Sequence, residues 1–174
     1  MQIEDLKNNM IETGLKMYRN GYIVASDGNI SVRLSPNRFL VTASGVCKGE
    51  LKAEDIILTD AQGLPLDSDR KPSSEFKLHL EIYHRRNDVL AICHAHSMYC
   101  TTLACAGLPL DRPFLAELII NLGYVPLIRY GTPGTSNIFA DLTGKIENSK
   151  ALLLEHHGVV TLGNDLNMAY QRLE

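Results

Sequence analysis

The 174-residue sequence lacks several patterns that mark specialised classes of protein. Its four cysteines form no CxxC pair and are too sparse for a disulfide-stapled secreted scaffold, so we expect reduced thiols. No apolar run approaches the roughly 20 residues that a membrane-spanning helix needs. The first ten residues include acidic side chains and lack the apolar stretch of a signal peptide. These absences predict a cytoplasmic protein with no membrane partner.

Nucleic acids and nucleotides are poor candidates for the partner. The formal net charge is −3, and no dense run of Lys and Arg could form a basic patch. Neither glycine-rich nucleotide motif, GxGxxG or GxxxxGK[ST], is present. We therefore expect no nucleic-acid partner.

The composition that remains is that of an ordinary globular domain, with 45% hydrophobic and 21% charged residues. A chain of this length most economically builds one core, so residues 1–174 are predicted to form one domain with one active site. The helical pattern that starts at Leu166 is still periodic at Glu174, so we expect either a fold that ends abruptly there or a domain truncated at its C-terminus.

Hydrophobic periodicity and turn signals predict a mixed αβ domain around one sheet. Gly21 is a plausible stop for the first helix, and a polar turn separates the first two strands as in a hairpin. The predicted helices lie at 4–20, 74–86, 97–106, 114–122, 136–147 and from 166, and the predicted strands at 30–34, 39–42, 56–59, 89–93, 124–128, 151–154 and 159–162.

The histidines carry the clearest chemical signal. His94 and His96 follow a buried strand at positions i and i+2, so strand geometry points both imidazoles into one space. A third imidazole is available from His156 or His157, of which alternation allows one to face that space, and Gly158 would let another group approach the backbone. Three imidazoles suit a borderline-soft divalent cation such as zinc.

HxH alone is a weak metal signal, because a single buried histidine is more often a hydrogen-bonded core residue. Here it is combined with a later HHG segment and with a carboxylate that opens a helix. His79 and His84 lie at helical positions with polar neighbours, so we assign them structural roles.

Glu75 is the carboxylate in question. Ser73 or Ser74 is expected to cap the helix that runs to about Arg86, which places Glu75 in its first turn. A carboxylate there can be explained by the helix dipole alone. Next to a metal, however, it can act as a ligand in the resting site and as a proton carrier when substrate displaces it.

Three polar loops between predicted elements, at 27–29, 42–45 and 71–74, could surround an anion, and we call them the anion loops. The hydroxyls of Ser73 and Ser74, the free N–H groups of the helix that they open, Gly45 and the Asn29 amide could wrap a phosphate. Each loop alone is a routine turn. Together they predict a small phosphorylated metabolite as the substrate.

These motifs, in order and spacing, resemble the class II aldolase/adducin family over nearly the whole chain, and within it the fuculose-phosphate aldolases. The matching motifs are GNISVR at 28–33, SGV at 44–46, PSSE at 72–75, HAH at 94–96, YGTPGT at 130–135 and HHG at 156–158. The resemblance implies a three-layer αβα sandwich around a mixed, largely antiparallel sheet, and a homotetramer with interfacial active sites.

The resemblance also implies roles for individual residues. It implies a zinc ion held by His94, His96 and His157, with Glu75 as a further ligand and as the catalytic acid/base. It implies contacts to the substrate phosphate from Asn29, Ser44, Gly45, Ser73 and Ser74.

The implied activity is that of a zinc-dependent aldolase. It would cleave a ketose 1-phosphate, similar to L-fuculose 1-phosphate, into dihydroxyacetone phosphate and an aldehyde through a metal-stabilised enediolate. Residues 109–117 contain no tyrosine where those aldolases carry one, so the aldehyde partner stays open. Related 4-epimerases typically carry aspartate where this chain has Glu75. The resemblance is also compatible with a dehydratase, a decarboxylase or a non-catalytic adducin-like domain.

Overall fold

The computed structural model describes residues 2–131 and 141–174, and its centre is one seven-stranded sheet. The strands are β1 (Asn29–Ser35), β2 (Arg38–Thr42), β3 (Ile56–Thr59), β4 (Ala91–Ala95), β5 (Leu127–Ile128), β6 (Ala151–Leu154) and β7 (Gly158–Gly163). The α-helices are α1 (Ile3–Arg19), α2 (Phe76–Arg85), α3 (Met98–Cys105), α4 (Ala116–Asn121) and α5 (Leu166–Leu173).

The strand order is β3-β2-β1-β4-β7-β6-β5. Every neighbouring pair is antiparallel except β5 and β6, which are parallel. The expectation of a mixed, largely antiparallel sheet is therefore confirmed. β4 lies at its centre, between β1 and β7.

Helices cover both faces of the sheet, because successive strand residues point to opposite sides. Leu40 and Cys93 lie in a buried cluster with residues of α1, α3 and α5. Their neighbours Val41 and Ile92 lie in a second cluster with residues of α2. Two cores on opposite faces of one sheet make the three-layer αβα sandwich that the resemblance implied.

Several predicted elements are confirmed with small shifts in their bounds. The first helix ends at Arg19, and Gly21 follows with a φ of 69°, a conformation that glycine adopts without strain. The hairpin forms as predicted, with β1 and β2 antiparallel. The central strand runs over Ala91–Ala95, two residues later than expected, so that His94 lies inside the strand.

Two expectations are wrong in part. The strand expected at 124–128 consists of Leu127–Ile128 alone, with Val125 in an isolated bridge. Of the helix expected at 136–147, residues 136–140 lie outside the described part of the chain, and residues 141–147 form turns. Gly144 lies in these turns at a φ of 82°, which a regular helix does not allow.

In the described residues, no helix combines the length and the apolar character that crossing a membrane requires.

Candidate metal and anion site

Three histidine side chains meet at one end of the central strands. His94 is the fourth residue of β4, His96 follows its end, and His157 lies in the turn between β6 and β7. Ala95 pairs with Val159, which brings that turn beside the end of β4. The ring centroids lie 4.7 to 5.0 Å apart. One nitrogen from each ring lies within 4.8 Å of the others, so the predicted convergence of three imidazoles is present.

Hydrogen bonds fix which nitrogen of His94 and His96 carries the proton. The Nδ1 of His94 lies 3.0 Å from the Val159 carbonyl oxygen, which can only accept, so Nδ1–H donates. The Nδ1 of His96 lies 3.4 Å from Oδ2 of Asp27, which makes it a donor too. Both Nε2 atoms are left with lone pairs, and they face each other at 3.2 Å.

Glu75 completes this cluster. Its Oε1 lies 2.7 Å from Nε2 of His157, and its Oε2 lies 3.3 Å from Nε2 of His94. Oε2 also accepts a hydrogen bond from Nδ2 of Asn29 at 2.8 Å. Burial raises the pKa of Glu75, but the neighbouring imidazoles of His157 and His94 outweigh burial and hold this pKa well below its usual range. Glu75 is therefore a carboxylate in the resting site.

The predicted cap of α2 is wrong. The helix begins at Phe76, and Glu75 is its N-cap residue rather than a residue of its first turn. Neither Ser73 nor Ser74 occupies the capping position, and the Glu75 side chain makes no capping hydrogen bond. The carboxylate is instead directed to the histidines, so the first N–H groups of α2 are not its partners.

The turn between β6 and β7 separates His156 from His157. His156 is exposed, with a φ of 56°, whereas His157 is partly buried in the cluster. The expectation that one of the two faces away is confirmed, but the cause is a left-handed turn residue rather than strand alternation. A Cβ on Gly158 would lie 2.4 Å from the Ala95 carbonyl oxygen and 2.8 Å from Cδ2 of His96, so Gly158 does permit a close approach.

The predicted anion loops lie side by side. An antiparallel bridge joins Ala43 to Pro72. The N–H groups of Ser44 and Ser73 are engaged in the backbone hydrogen bonds that flank this bridge, so they are not free to bind an anion. The structure therefore brings the loops together, but two of their N–H groups already donate to backbone oxygens.

Other donors in these loops are free. Among the described residues, no acceptor is bonded to the N–H groups of Gly45 and Ser74. Gly45 adopts a φ of 75° and would have nothing within 4 Å of an added Cβ. Ser44 and Ser74 are exposed, whereas Asn29 is fully buried, with its amide NH₂ on Glu75.

Two charged residues beside the site were missed from the sequence. Asp27 accepts the hydrogen bond from His96. Lys48 is 2% exposed, and its Nζ donates to the carbonyl oxygens of Ser26 at 2.6 Å and Val46 at 2.8 Å. Burial lowers the pKa of Lys48, and the charge of Asp27 raises it. The only signal in the sequence was the proximity of both residues to the predicted loops.

The donor set fits a zinc ion. Two nitrogens bound to zinc at ~2.0–2.1 Å with tetrahedral angles lie roughly 3.4 Å apart, close to the separation of the two facing Nε2 atoms. Those two lone pairs cannot bond to each other without a proton or a cation between them. The carboxylate of Glu75 supplies a negative charge on the same side. His94, His96, His157 and Glu75 could thus hold the metal.

The cluster is partly buried: the side chains of His96, Glu75 and His157 are 26%, 15% and 13% exposed, and that of His94 is 2% exposed. Two cavities in the described part of the chain, of about 810 and 570 Å³, are lined by other residues. The larger lies between α1, the β1–β2 hairpin and the start of α5.

Comparison with known proteins places this geometry in context. The family model described as the class II aldolase and adducin N-terminal domain matches residues 8–174. A 3-oxo-tetronate 4-phosphate decarboxylase of Haemophilus influenzae is 39% identical over 165 residues, which cover 92% of this chain and 78% of that protein. An L-fuculose phosphate aldolase of the same organism is 31% identical, over 97% of this chain and 77% of that protein.

A solved structure of an L-fuculose 1-phosphate aldolase has the same fold. It superposes with a TM-score of 0.90 at 32% identity, over 99% of this chain and 82% of that one. Of the YGTPGT motif on which the resemblance partly rested, residues 132–135 lie outside the described part of the chain.

Proposed function

The chain belongs to the class II aldolase and adducin family, and from this we propose that it is a metal-dependent lyase acting on a small phosphorylated sugar derivative. The bond that it breaks joins the α carbon of a ketone to the β carbon, so that the electrons of the bond pass into an enediolate. The observation that carries this proposal is the convergence of three imidazole nitrogens within 4.8 Å of one another, with the Glu75 carboxylate in hydrogen-bonding distance of two of them, those of His94 and His157.

His94, His96 and His157 are proposed to hold a zinc ion, with Glu75 as a further ligand in the resting site. When bound, the metal supplies Lewis acidity toward a carbonyl oxygen and so favours charge developing there. Val159 and Asp27 accept hydrogen bonds from the Nδ1 atoms of His94 and His96, and this orients both rings so that their Nε2 atoms face the site.

Glu75 is proposed to carry the proton. Cleavage of the bond leaves negative charge on the substrate, and one carbon must then be protonated. A carboxylate 15% exposed and next to the histidines can hold that proton and return to its resting contacts afterwards. The open N–H groups of Gly45 and Ser74 and the hydroxyls of Ser44, Ser73 and Ser74 are proposed to bind the phosphate, with Asn29 at their edge.

Two reactions share this chemistry, and they differ in the group that leaves. A 3-oxo-tetronate 4-phosphate that loses carbon dioxide leaves a three-carbon enediolate, and protonation of that enediolate gives dihydroxyacetone phosphate. Aldol cleavage of a ketose 1-phosphate leaves the same enediolate and the same product, but it releases an aldehyde. Both therefore require the same metal, carboxylate and phosphate contacts.

We favour decarboxylation as the reaction of this chain. Aldol cleavage needs a base to remove a hydroxyl proton before an acid protonates carbon, whereas a departing carboxylate has no proton to lose. Residues 109–117 contain no tyrosine for that extra transfer. The decarboxylase of Haemophilus influenzae is also more similar to this chain than the aldolase is, at 39% against 31% identity. Aldol cleavage is the second candidate, supported by the structural likeness to an aldolase.

One assay separates these candidates. The purified protein is incubated with zinc and either 3-oxo-tetronate 4-phosphate or L-fuculose 1-phosphate, and dihydroxyacetone phosphate is followed by enzymatic reduction. Carbon dioxide release from the first substrate identifies a decarboxylase, and aldehyde release from the second identifies an aldolase. If neither substrate nor related ketose phosphates give dihydroxyacetone phosphate, the proposed lyase activity is wrong.

A homotetramer with active sites between subunits remains part of the proposal. The large apolar side chains of Phe114, Leu115 and Ile120, on and before α4, are 62%, 64% and 76% exposed. Such side chains are typical of surfaces that become buried on assembly. Light scattering of the purified protein would give the mass of the assembly, and a monomer at micromolar concentration would contradict this expectation.

A further inference from the structure

A row of polar side chains connects β1 to α2 beneath the metal cluster. Alternate residues of β1 face α2, and they meet α2 side chains that recur at intervals of four. We call this set the polar ladder: Asn29, Ser31 and Arg33 on β1, with Glu75, His79 and Tyr83 on the α2 side.

The contacts of the ladder run in the same direction along both elements. At the metal end, Asn29 donates to Glu75. In the middle, the hydroxyl of Ser31 lies 2.7 Å from Nδ1 of His79 and 2.8 Å from the hydroxyl of Tyr83. At the far end, the guanidinium of Arg33 donates to the main-chain oxygen of Tyr83 and lies 4.7 Å from its ring centroid.

This pairing is possible because the two repeats nearly match. Two residues of a strand advance by about 6.6 Å, and four residues of an α-helix advance by about 6 Å. We call the contacts of one β1 residue with α2 a rung of the polar ladder. Successive rungs therefore stay aligned over three pairs of residues. A shift of α2 by one residue would move it by about 1.5 Å along its axis and turn it by about 100°, which breaks every rung at once.

The ladder lies in the core, where polar groups are costly. Asn29, Ser31 and His79 are 0% exposed, and Tyr83 is 1% exposed. Burial lowers the pKa of His79 to about 3, so its ring is neutral. Apolar side chains at these positions would pack without any need for partners. A buried polar network instead fixes one arrangement of the elements that it joins.

The position of α2 along β1 decides where Glu75 lies. Asn29 is paired with His94 where β1 and β4 run antiparallel, so β1 is fixed relative to that histidine. Glu75 precedes the first residue of α2, and its carboxylate contacts His94 and His157 at 3.3 and 2.7 Å. Because both contacts are short, a small displacement of α2 would alter both of them.

We propose that the Ser31–His79–Tyr83 rung is a positioning device that sets the register of α2 on β1 and thereby places the Glu75 carboxylate at the metal. This inference rests on the proposed metal-dependent function. Ser31, His79 and Tyr83 touch neither metal nor substrate, so they are positioning residues.

Cobalt(II) tests the proposal without any substrate. Cobalt replaces zinc in histidine sites, and its visible absorption depends on the number and geometry of its ligands, whereas zinc has no such spectrum. Spectra are recorded for the wild type, Glu75→Gln, Ser31→Ala and Tyr83→Phe. Tyr170→Phe is the matched control, because its hydroxyl also makes two hydrogen bonds, to Asn20 and Glu174, but on α5 away from the site.

The expected result is a cobalt spectrum for Ser31→Ala and Tyr83→Phe that shifts from the wild type toward that of Glu75→Gln, while Tyr170→Phe keeps the wild-type spectrum. With an identified substrate, kcat in both ladder variants should fall by about 10- to 100-fold at nearly unchanged KM, the scale for a misplaced catalytic group. Ser31→Ala removes the contacts of this hydroxyl with both His79 and Tyr83, whereas Tyr83→Phe removes only the contact between Tyr83 and Ser31, so Tyr83→Phe serves if Ser31→Ala does not fold.

Two outcomes overturn different parts of the proposal. If the ladder variants bind cobalt with the wild-type spectrum while Glu75→Gln changes it, the positioning role is wrong and the metal site stands. If the wild type binds no cobalt, the proposed metal-dependent function fails, and the ladder inference fails with it.

Discussion

Nε2 of His157 lies 2.7 Å from Oε1 of Glu75, although the two residues are 82 positions apart in the sequence. The contact joins the turn between β6 and β7 to the start of α2. The Glu75 carboxylate can therefore contact His157 directly, or it can contact a metal that His157 holds. Substitutions at the carboxylate and at the histidines should therefore have different effects on metal binding and on turnover.

Replacing any one of His94, His96 or His157 with Ala should abolish metal binding. A catalytic zinc has only three or four protein ligands, so losing one removes a large part of its affinity. Metal analysis of protein purified without chelator should fall from about one zinc per chain to nearly none. His156→Ala is the matched control and should retain zinc, because this histidine is exposed and outside the cluster. Full occupancy in all three variants would refute the ligand assignment.

Glu75→Gln should separate binding from chemistry. The amide keeps the size of the side chain but cannot carry a proton at a useful pKa, so turnover should fall by about 10²-fold or more. Zinc should largely remain on the three histidines, and a dihydroxyacetone phosphate analogue should still bind. The measurements are zinc content, analogue affinity by calorimetry, and kcat. Wild-type turnover by this variant would mean that Glu75 is only a charge at the end of a helix.

Gly158→Ala should damage the site by steric means alone. The new Cβ would meet the Ala95 carbonyl oxygen at 2.4 Å and the His96 ring at 2.8 Å, so the backbones of β4 and β7 must separate and His96 must shift as well. We expect weaker zinc binding, measured by competition with a chelator.

Gly144→Ala is the control for a general loss of stability. It strains the backbone, since this glycine has a φ of 82°, but its Cβ would meet nothing within 4 Å. It should lower the melting temperature and leave zinc affinity unchanged. Equal zinc affinity in both variants would show that the close packing at Gly158 is unimportant for the site.

Acid should destabilise the metal-free protein through His79. The pKa of this buried imidazole is lowered to about 3 in the folded state, against 6.5 when unfolded. Between these values the unfolded chain binds a proton that the folded chain does not, so stability falls as the pH falls from about 6.5 toward 3. Between pH 7 and 5 this group should lower the free energy of unfolding by about 2 kcal/mol.

Urea unfolding of the metal-free protein at both pH values measures this loss. The variant His79→Phe has no imidazole to protonate, so its stability should change less between pH 7 and 5, whatever its stability at pH 7. An identical pH dependence in both proteins would show that His79 is not the acid-sensitive group.

Local patterns in the sequence were sufficient for most of the fold. The hairpin of β1 and β2, the amphipathic α1 and the pairing of His94 with His96 were predicted because their signals lie within a few residues of one another, whereas the third imidazole came from a separate HHG segment. The start of α2 was misplaced because the Glu75 side chain is drawn to histidines that lie far away in the sequence. The preference of serine for helix N-caps carries no information about a partner that is distant in the sequence.

The surroundings of the site were harder to predict for the same reason. Asp27 and Lys48 have ordinary sequence contexts, and their importance follows from burial and from contacts made only in the folded chain. The orientation of His156 was predicted correctly from the wrong cause, since its outward position depends on a left-handed turn rather than on strand alternation.

The central position of β4 also affects how the protein folds and unfolds. Strands β1 to β3 form one block of antiparallel neighbours. Strands β5 to β7 form a second block, in which β5 and β6 are parallel and β6 and β7 antiparallel, and β4 lies between the two blocks. Asn29 and Glu75 lie on the β1 side of β4. His94 and His96 lie in β4 and just after it, and His157 lies on the β7 side. A metal ion bound there would bridge the last contacts to form, because these non-local pairings close the longest loops. Bound metal should then slow unfolding more than it speeds folding, since separating the two blocks requires breaking the metal site first.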